Sequence, residues 1–272
     1  MNNIVLNKII TDIKDRGIEK DFREKAPESV SRRIVACSEG MYPFAGSLYI
    51  CDSPESCDSL TAKGYPVAAL VHDGNRDADF SRVRYIIEQP EQISLEDYDH
   101  IFRRLSGLPV DILETERLII RETVPDDLDR FYEIYSDPVV ISFMEPLFPR
   151  EEEEEYQRNY IRNIYGLYGI GLWTGILKER DLIIGRMGIE YTSDPGCVEL
   201  GFVVDADVRR QGLAYEACSA ITDYASGLPD VNRLIARVRQ DNTASQNLCR
   251  KLGMTPGREL NDGLVEWFHD LK

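Results

Sequence analysis

Residues 197–214 read CVELGFVVDADVRRQGLA, and this stretch decides the fold of the C-terminal part of the chain. The apolar run ELGFVV predicts a strand and GLAYEACSAITDYASG (212–227) predicts a helix, so the turn between them brings Arg209 and Arg210 to a helix N-terminus. Free N–H groups and the positive end of the helix dipole favour an anion there, and Gly212 lets a diphosphate approach the backbone closely. The stretch therefore predicts a phosphate-binding loop between a strand and a helix.

The elements around this loop follow a recognisable order. ILETERLIIRE (112–122) predicts a strand, because Leu118 and Ile120 alternate with polar neighbours. The patterns that follow predict helices over 124–137 and 151–169, an antiparallel meander of strands over 171–178, 182–191 and 197–205, a helix over 212–227, a strand over 233–241, a helix over 242–253 and a strand over 262–271.

Four ordered motifs in this part resemble the GNAT superfamily of N-acetyltransferases, and in particular its RimJ/RimL-type branch. The motifs are RLIIRE (117–122), ELGFVV (199–204), RRQGLA (209–214) and NTASQNLCRKLG (242–253), which fits N-x-x-S-x-x-L-x-x-K-L-G. The resemblance covers about residues 112–256. It implies an α/β (α+β) GNAT fold, whose mixed and mostly antiparallel sheet splays between the strands 197–205 and 233–241, with acetyl-CoA as co-substrate in the slot.

The resemblance also implies a set of residues that bind acetyl-CoA. The pantetheine arm would pair with strand backbone, the diphosphate would lie on the loop 208–213, and a backbone N–H near Phe202 or Val203 would meet the oxyanion. Asn242 would bind the pantetheine amide or the amine and Ser245 would donate to the thiol sulfur, although both residue types are also good helix caps. The whole set is Phe202, Val203, Val204, Arg209, Arg210, Gln211, Gly212, Leu213, Ala214, Asn242 and Ser245; no metal is expected.

Glu199 and Ser245 are the candidate catalytic residues. Glu199 projects beside the slot and would act as a general base through water. Since a carboxylate with the ordinary pKa of about 4.3 is a weak base for an ammonium, desolvation has to raise its pKa. Alternatively, Glu199 orders the strand or binds the charge of the amine. Many relatives have a tyrosine that acts as the general acid at the position of Cys249. Here Cys249 acts as that acid, is an oxidisable thiol or, as we expect, packs in the core as a small apolar residue.

The acceptor amine is decided by the variable residues 138–170. Relatives act on protein N-termini, polyamines, aminoglycosides or amino acids, so the acceptor is a small-molecule amine or a protein N-terminus. Aromatic side chains of this segment either line the acceptor pocket or, at helical spacing, belong to the core: Phe143, Phe148, Tyr156, Tyr160, Tyr165 and Tyr168. A non-catalytic module that senses acyl-CoA is the alternative function, but Glu199, Asn242 and Ser245 together favour an enzyme.

The run Glu151–Glu155 lies at the start of a predicted helix. Such a run could form a metal or polyamine site. At a helix N-terminus, however, acidic residues favour the dipole and are usually solvated. We therefore expect a solvated face.

Residues 1–110 predict a small α/β module with a parallel sheet, and 111–272 the GNAT domain, with the boundary in 107–116. The predicted elements of the module are an amphipathic helix within 3–27, strands over 32–37, 47–52, 66–73 and 83–89, and helices over 53–64 and 94–107.

SLYICDSPESCDSLTAKGYPVAAL (47–70) faintly resembles part of the haloacid dehalogenase-like phosphatases, in which an aspartate at the place of Asp52 holds magnesium. No D-x-D-x-T loop precedes it, so we expect a remnant used for dimerisation, substrate presentation or ligand sensing. His72 and Asp73 also end a predicted strand, where α/β sheets bind ligands, but a hydrophilic loop is the simpler interpretation.

Composition limits the partners of the chain. A formal net charge of -16 disfavours nucleic acid and attracts a cationic amine. The six cysteines are scattered without a CxxC pair, which indicates reduced thiols. Because no run of about 18 apolar residues occurs, we expect a cytoplasmic protein with no membrane span. A homodimer is left open.

Overall fold

The computed structural model describes residues 4–37 and 45–272. The chain divides into two compact units, Met1–Val110 and Asp111–Lys272. Within the described ranges, no helix combines the length and the apolar character needed to cross a bilayer.

The first unit is built on a parallel sheet of five strands in the order β2-β1-β3-β4-β5, which confirms the predicted small parallel sheet. Its elements are β1 (Lys8–Asp12), α1 (Arg16–Lys25), α2 (Glu28–Ser31), β2 (Ile34–Ala36), β3 (Ser47–Cys51), α3 (Pro54–Ala62), β4 (Val67–Leu70), β5 (Ile86–Ile87) and α4 (Leu95–Leu105).

The predicted helix within 3–27 is wrong for its first half. Lys8–Asp12 is a strand that pairs with both β2 and β3, and helix begins only at Arg16. Ile9 and Ile10 are both fully buried, because a central parallel strand is covered on both faces. Consecutive apolar residues in such a strand resemble part of a helical pattern, and this misled the sequence interpretation.

The second unit contains a mixed sheet of eight strands in the order β12-β13-β11-β10-β9-β8-β7-β6, antiparallel except between β10 and β11. Its strands are β6 (Asp111–Glu114), β7 (Leu118–Arg121), β8 (Leu172–Leu177), β9 (Leu182–Tyr191), β10 (Cys197–Val204), β11 (Arg233–Arg239), β12 (Thr255–Glu259) and β13 (Leu264–Asp270). Its helices are α5 (Leu128–Tyr135), α6 (Pro138–Ile141), α7 (Arg150–Tyr160), α8 (Gly166–Tyr168), α9 (Leu213–Gly227) and α10 (Thr243–Lys251), with a π-helical turn, Ile161–Tyr165, between α7 and α8.

Two strands of this sheet differ from the sequence prediction. Residues 112–122 form a hairpin and not one strand, since the Thr115 N–H donates to the Leu118 carbonyl at 2.9 Å and turns the chain. Strand β12 was not predicted, because all five of its residues are exposed and carry no alternating apolar pattern.

The strands β10 and β11 separate after a short parallel contact, as the family resemblance implies. They pair only where Cys197–Glu199 face Arg233–Ile235. Beyond Glu199, the edge of β10 that faces β11 is no longer paired with β11 as a neighbouring strand. Its backbone groups can therefore pair with an extended chain that enters the gap.

The two faces of β10 have different neighbours. Val198 and Leu200 are buried in the main core together with residues of α9, such as Ala217. Val203 points to the other face, where it packs with Phe131 of α5. Because side chains alternate along a strand, Glu199 lies on the face of Val203.

Candidate functional site

A cavity of about 590 Å³ lies where β10 ends and α9 begins. It is bounded by residues 139–144, by the end of β10, by the loop before α9 and by the start of α10. The cavity brings together nine of the predicted binding residues: Phe202, Val204, Arg209, Arg210, Gly212, Leu213, Ala214, Asn242 and Ser245.

The N-terminus of α9 is open toward this cavity. Gly212 precedes the first helical residue with φ 81°, a left-handed conformation that favours glycine, and among the described residues no side chain caps the helix. Arg210 also has a positive φ, 62°. The N–H groups of the first turn of this 15-residue helix are thus available to an anion beside two arginines.

Arg209 is fixed at the rim of the cavity. Its Nε donates to the Val204 carbonyl at 3.3 Å, and its Nη2 lies 3.4 Å from Oδ1 of Asp137. Burial raises the pKa of Asp137, but its hydrogen bonds and Arg209 reverse this, and the net pKa is lowered. The guanidinium is therefore positioned before any ligand arrives.

Arg117 and Glu216 clamp the loop to the β6–β7 hairpin, a contact that the sequence analysis missed. Arg117 donates through Nη1 to the Gln211 carbonyl at 2.9 Å and through Nε to Glu216 at 2.6 Å. Glu216 also accepts from the Thr115 hydroxyl and from the Arg117 N–H. Arg117 opens the RLIIRE motif, but its contact with residues about 100 positions away has no local signal.

Replacement of Glu216 by glutamine is expected to destabilise the second unit by about 1–2 kcal/mol at pH 7, since charged hydrogen bonds are lost. Burial raises the pKa of Glu216, but the hydrogen bonds from Thr115 and Arg117 outweigh it and lower the pKa. The stabilisation is thus present above the unfolded-state pKa and disappears as pH falls through the lowered folded-state pKa. Urea unfolding should show a difference between wild type and Glu216→Gln at pH 7 that shrinks below about pH 4. A difference that is constant with pH would contradict the ionised clamp.

Asn242 and Ser245 line the cavity, and the Asn242 side chain caps α10. The Asn242 Oδ1 accepts from the Ser245 N–H at 3.1 Å. The capping role that the sequence left open is therefore present for Asn242 and not for the Ser245 side chain, and the bond fixes both residues at the cavity wall.

Glu199 lies outside the cavity, on the opposite face of β10. We call the side of the sheet that carries Glu190, Glu199 and Arg237 the Glu199 face. The Glu199 Oε2 accepts from Arg237 Nη1 at 2.6 Å. Burial raises the pKa of Glu199, Arg237 opposes this rise, and Glu190 and Glu266 add to it, so that the net pKa is raised. This is the direction that a general base for an ammonium requires.

The aromatic residues of 138–170 divide between several roles. Tyr160 and Tyr165 are buried, and the Tyr160 hydroxyl donates to Glu190 at 2.6 Å on the Glu199 face. Tyr156 and Phe148 are half exposed and their ring centroids are 5.7 Å apart. Phe143 lines the cavity.

The other predicted residues lie elsewhere. The Val203 side chain packs against α5, so only its backbone can face the gap. Gln211 does not line the cavity; its carbonyl accepts from Arg117. Cys249 is fully buried in the main core, where burial raises the pKa of its thiol to about 11, which agrees with a packing role.

The glutamate run is not wholly solvated as expected. Glu153 is buried, and its carboxylate accepts from the Phe148 N–H at 3.1 Å and from Gln157 Nε2 at 2.9 Å. The run therefore has one member that fixes the start of α7. In residues 4–37 and 45–272, no cluster of His, Cys, Asp and Glu is arranged to hold a metal ion.

In the first unit, Asp52 and His72 meet at the carboxyl ends of the strands. Both carboxylate oxygens of Asp52 accept from the Lys14 N–H at 3.2 Å, and His72 Nε2 lies 3.7 Å from Oδ2. Asn75 Nδ2 donates to the Asp52 carbonyl at 2.8 Å and its Oδ1 accepts from the His72 N–H. These contacts tie the loop to the sheet.

Comparisons with known proteins agree on the second unit. A family model for the acetyltransferase (GNAT) domain matches residues 117–255. YnaD of Bacillus subtilis (strain 168), an uncharacterized N-acetyltransferase, is 27% identical over 143 residues, which cover 52% of this chain and 81% of YnaD.

Solved structures share the fold at low identity. Spermidine N-acetyltransferase from Vibrio cholerae, solved with CoA and spermine, has a TM-score of 0.51 at 14% identity, covering 58% of this chain and 97% of that chain. RimL, a ribosomal L7/L12 alpha-N-protein acetyltransferase solved with coenzyme A, has a TM-score of 0.50 at 14% identity, covering 59% and 97%. At these identities the likeness concerns the fold alone.

Proposed function

The chain belongs to the acetyltransferase (GNAT) family and is an N-acetyltransferase; on this premise we propose that residues 111–272 transfer an acetyl group from acetyl-CoA to a primary amine by direct attack in a ternary complex. The observation that carries the proposal is the junction of the 590 Å³ cavity with the gap between β10 and β11. This junction offers an anion site and free strand edge side by side.

The residues present fit acetyl-CoA. Its diphosphate suits the uncapped N-terminus of α9 with Arg209 and Arg210, and its extended amide arm suits the free edge of β10 after Glu199. When bound, it supplies an activated acyl group on a thiol leaving group. A backbone N–H near Phe202 or Val203 would stabilise the negative charge that develops on the acyl oxygen.

Protons move through this chain's own residues and water. The nitrogen–carbon bond forms as the carbon–sulfur bond breaks, one proton leaves the amine, and one proton reaches the thiolate. Glu199 takes the amine proton through water, because its raised pKa makes it a better base than an exposed carboxylate. Ser245, at the cavity wall, is placed to donate toward the sulfur. Cys249 takes no part, since it is fully buried.

Replacement of Arg237 by methionine is expected to shift the acidic limb of kcat/KM to higher pH. Arg237 lowers the pKa of Glu199 against the effect of burial, so its removal lets that pKa rise further. Glu266 keeps its ion pair with Arg258 at 3.1 Å in the variant. Arg239→Met is the matched control, because Arg239 lies on the same strand but pairs with Asp241. A limb that does not move in Arg237→Met would remove Glu199 from the role of base.

The proposal is tested by mass spectrometry of amines incubated with the purified protein and ¹³C-acetyl-CoA. The panel contains amino acids, polyamines, aminoglycosides and peptides with free N-termini. Labelled acetyl on one class of amine supports the proposal. Acetyl-CoA binding with no transfer to any amine would favour the alternative, an acyl-CoA sensor.

A further inference from the structure

Arg186 is a buried cation on the Glu199 face. It lies on β9 directly opposite Val203 of β10, and paired residues of neighbouring strands point to the same face. Its side chain is only 6% exposed, and its guanidinium carbon lies 5.0 Å from the centre of the Phe131 ring. Arg186 therefore lies under α5, on the strand next to β10 and level with Val203, four residues beyond the point where β10 leaves β11.

The described neighbours do not neutralise this charge by direct contact. In residues 4–37 and 45–272, no carboxylate oxygen lies within 4.0 Å of the Arg186 guanidinium. Its Nε is buried without a hydrogen-bond acceptor in those residues. The group that contacts the guanidinium is the Tyr135 hydroxyl, a neutral partner; burial raises the pKa of this hydroxyl, and Arg186 opposes that rise. Two buried carboxylates of this unit bind other groups: Asp127 pairs with Arg121, and Glu153 accepts from Phe148 and Gln157. A guanidinium carries five N–H donors, and a buried cation without a counter-charge is costly, so this group is suited to an anionic ligand.

Tyr156 of α7 is influenced electrostatically by both Arg186 and Glu190. Burial raises the pKa of Tyr156, Arg186 opposes this rise, and Glu190 and Glu153 add to it, so that the net pKa is raised. The Tyr156 side chain is 45% exposed, which shows that solvent reaches this region. Positions 186 and 190 are four residues apart on β9, about 13 Å between Cα atoms.

Resting on the acetyl transfer proposed above, we propose that the acceptor is a primary amine that also carries a carboxylate, such as an α-amino acid. The carboxylate pairs with Arg186 through the planar fork of the guanidinium, which matches two carboxylate oxygens. The amine then lies toward Glu199 and Glu190, next to Val203 and the strand gap. A polyamine would bring only positive charge to Arg186 and would be repelled. Arg186 is thus a residue that determines acceptor specificity.

The test compares common amino acids with their own carboxamides, which keep the amine and the side chain but lose the negative charge. Rates are followed by release of the CoA thiol at saturating acetyl-CoA. For the best acceptor, we expect the acid to have at least about a tenfold higher kcat/KM than its carboxamide. Arg186→Met should lower kcat/KM for the acid by a similar factor, mainly through KM, and leave the carboxamide nearly unchanged. Arg186→Lys should restore part of the preference.

Other outcomes separate this inference from the proposed function. If the best acceptor is spermidine, a carboxamide or a peptide N-terminus, the acceptor class is overturned while acetyl transfer stands. If the protein binds acetyl-CoA and acetylates no amine, the proposed function fails and this inference fails with it. The preference of the wild-type protein needs no variant, so a poorly folded Arg186→Met would not weaken the test.

Discussion

Replacement of Gly212 by aspartate is expected to raise the dissociation constant for acetyl-CoA by about 100-fold or more. The new carboxylate would lie at the uncapped N-terminus of α9, where it would accept from the N–H groups that the diphosphate requires and would repel the diphosphate itself. Loss of about two charge-assisted hydrogen bonds, each worth about 1.5–3 kcal/mol, gives this factor. Isothermal calorimetry with purified wild-type and variant protein measures it.

A second glycine of the same unit controls for backbone strain and added charge. Gly169 has φ 69° and, in the part of the chain that the structure describes, no atom within 4 Å of an added Cβ; it ends α8, far in sequence from the loop. Gly169→Asp therefore introduces the same residue in the same left-handed conformation and should leave the affinity unchanged. Equal affinities of wild type and Gly212→Asp would mean that the diphosphate does not bind at α9.

Replacement of Glu199 by glutamine is expected to lower kcat by about 10²- to 10⁴-fold, the usual contribution of a general base. The acetyl-CoA affinity should not change, because Glu199 faces away from the cavity that holds the loop and α9. Steady-state kinetics with the best acceptor, together with calorimetry, measures both. The acidic limb of the pH profile should also disappear, since it reports the ionisation of Glu199.

The same variant distinguishes the roles that the sequence leaves open for Glu199. If the carboxylate only binds the charge of the amine, KM rises while kcat and the acidic limb remain. If it only orders the strand, both affinities and the thermal unfolding temperature change together. Glu259→Gln, on the exposed strand β12 of the same sheet, is the control and should behave like wild type.

The sequence predicts the fold of the second unit well because its signals are local. The turn between β10 and α9 carries a glycine that needs a positive φ. The segments of β9 and β10 show either alternating apolar and polar residues or continuous apolar runs, and both patterns are typical of buried strands. The parallel contact that ends at Glu199 was expected from the family resemblance and not from any pattern in the residues.

The two strands that the sequence does not predict correctly, Lys8–Asp12 and β12, were missed for physical reasons. Lys8–Asp12 was assigned to a helix because a strand buried on both faces loses its alternation. Strand β12 has no buried residue and thus no pattern to detect. An alternating apolar pattern appears only where one face of a strand is buried. Strand β1 is covered on both faces and β12 on neither, so neither segment shows the pattern.

Much of the candidate site depends on contacts that no local pattern encodes. Arg117 reaches Glu216, and Arg237 reaches Glu199 on the neighbouring strand. Arg186 could not be singled out, since one arginine in LIIGRMGIEY gives no sign of whether it is buried or paired. The sequence therefore names the cofactor loop, whereas only the fold reveals the charged groups around the acceptor.

The most direct test of the account is a crystal structure of the protein with acetyl-CoA. We expect the diphosphate within hydrogen-bond distance of the N–H groups at the start of α9, and the pantetheine arm along the edge of β10 after Glu199, with the acetyl group near Phe202 and Val203. Acetyl-CoA bound away from the gap between β10 and β11, with the α9 N-terminus in contact only with solvent, would contradict the account.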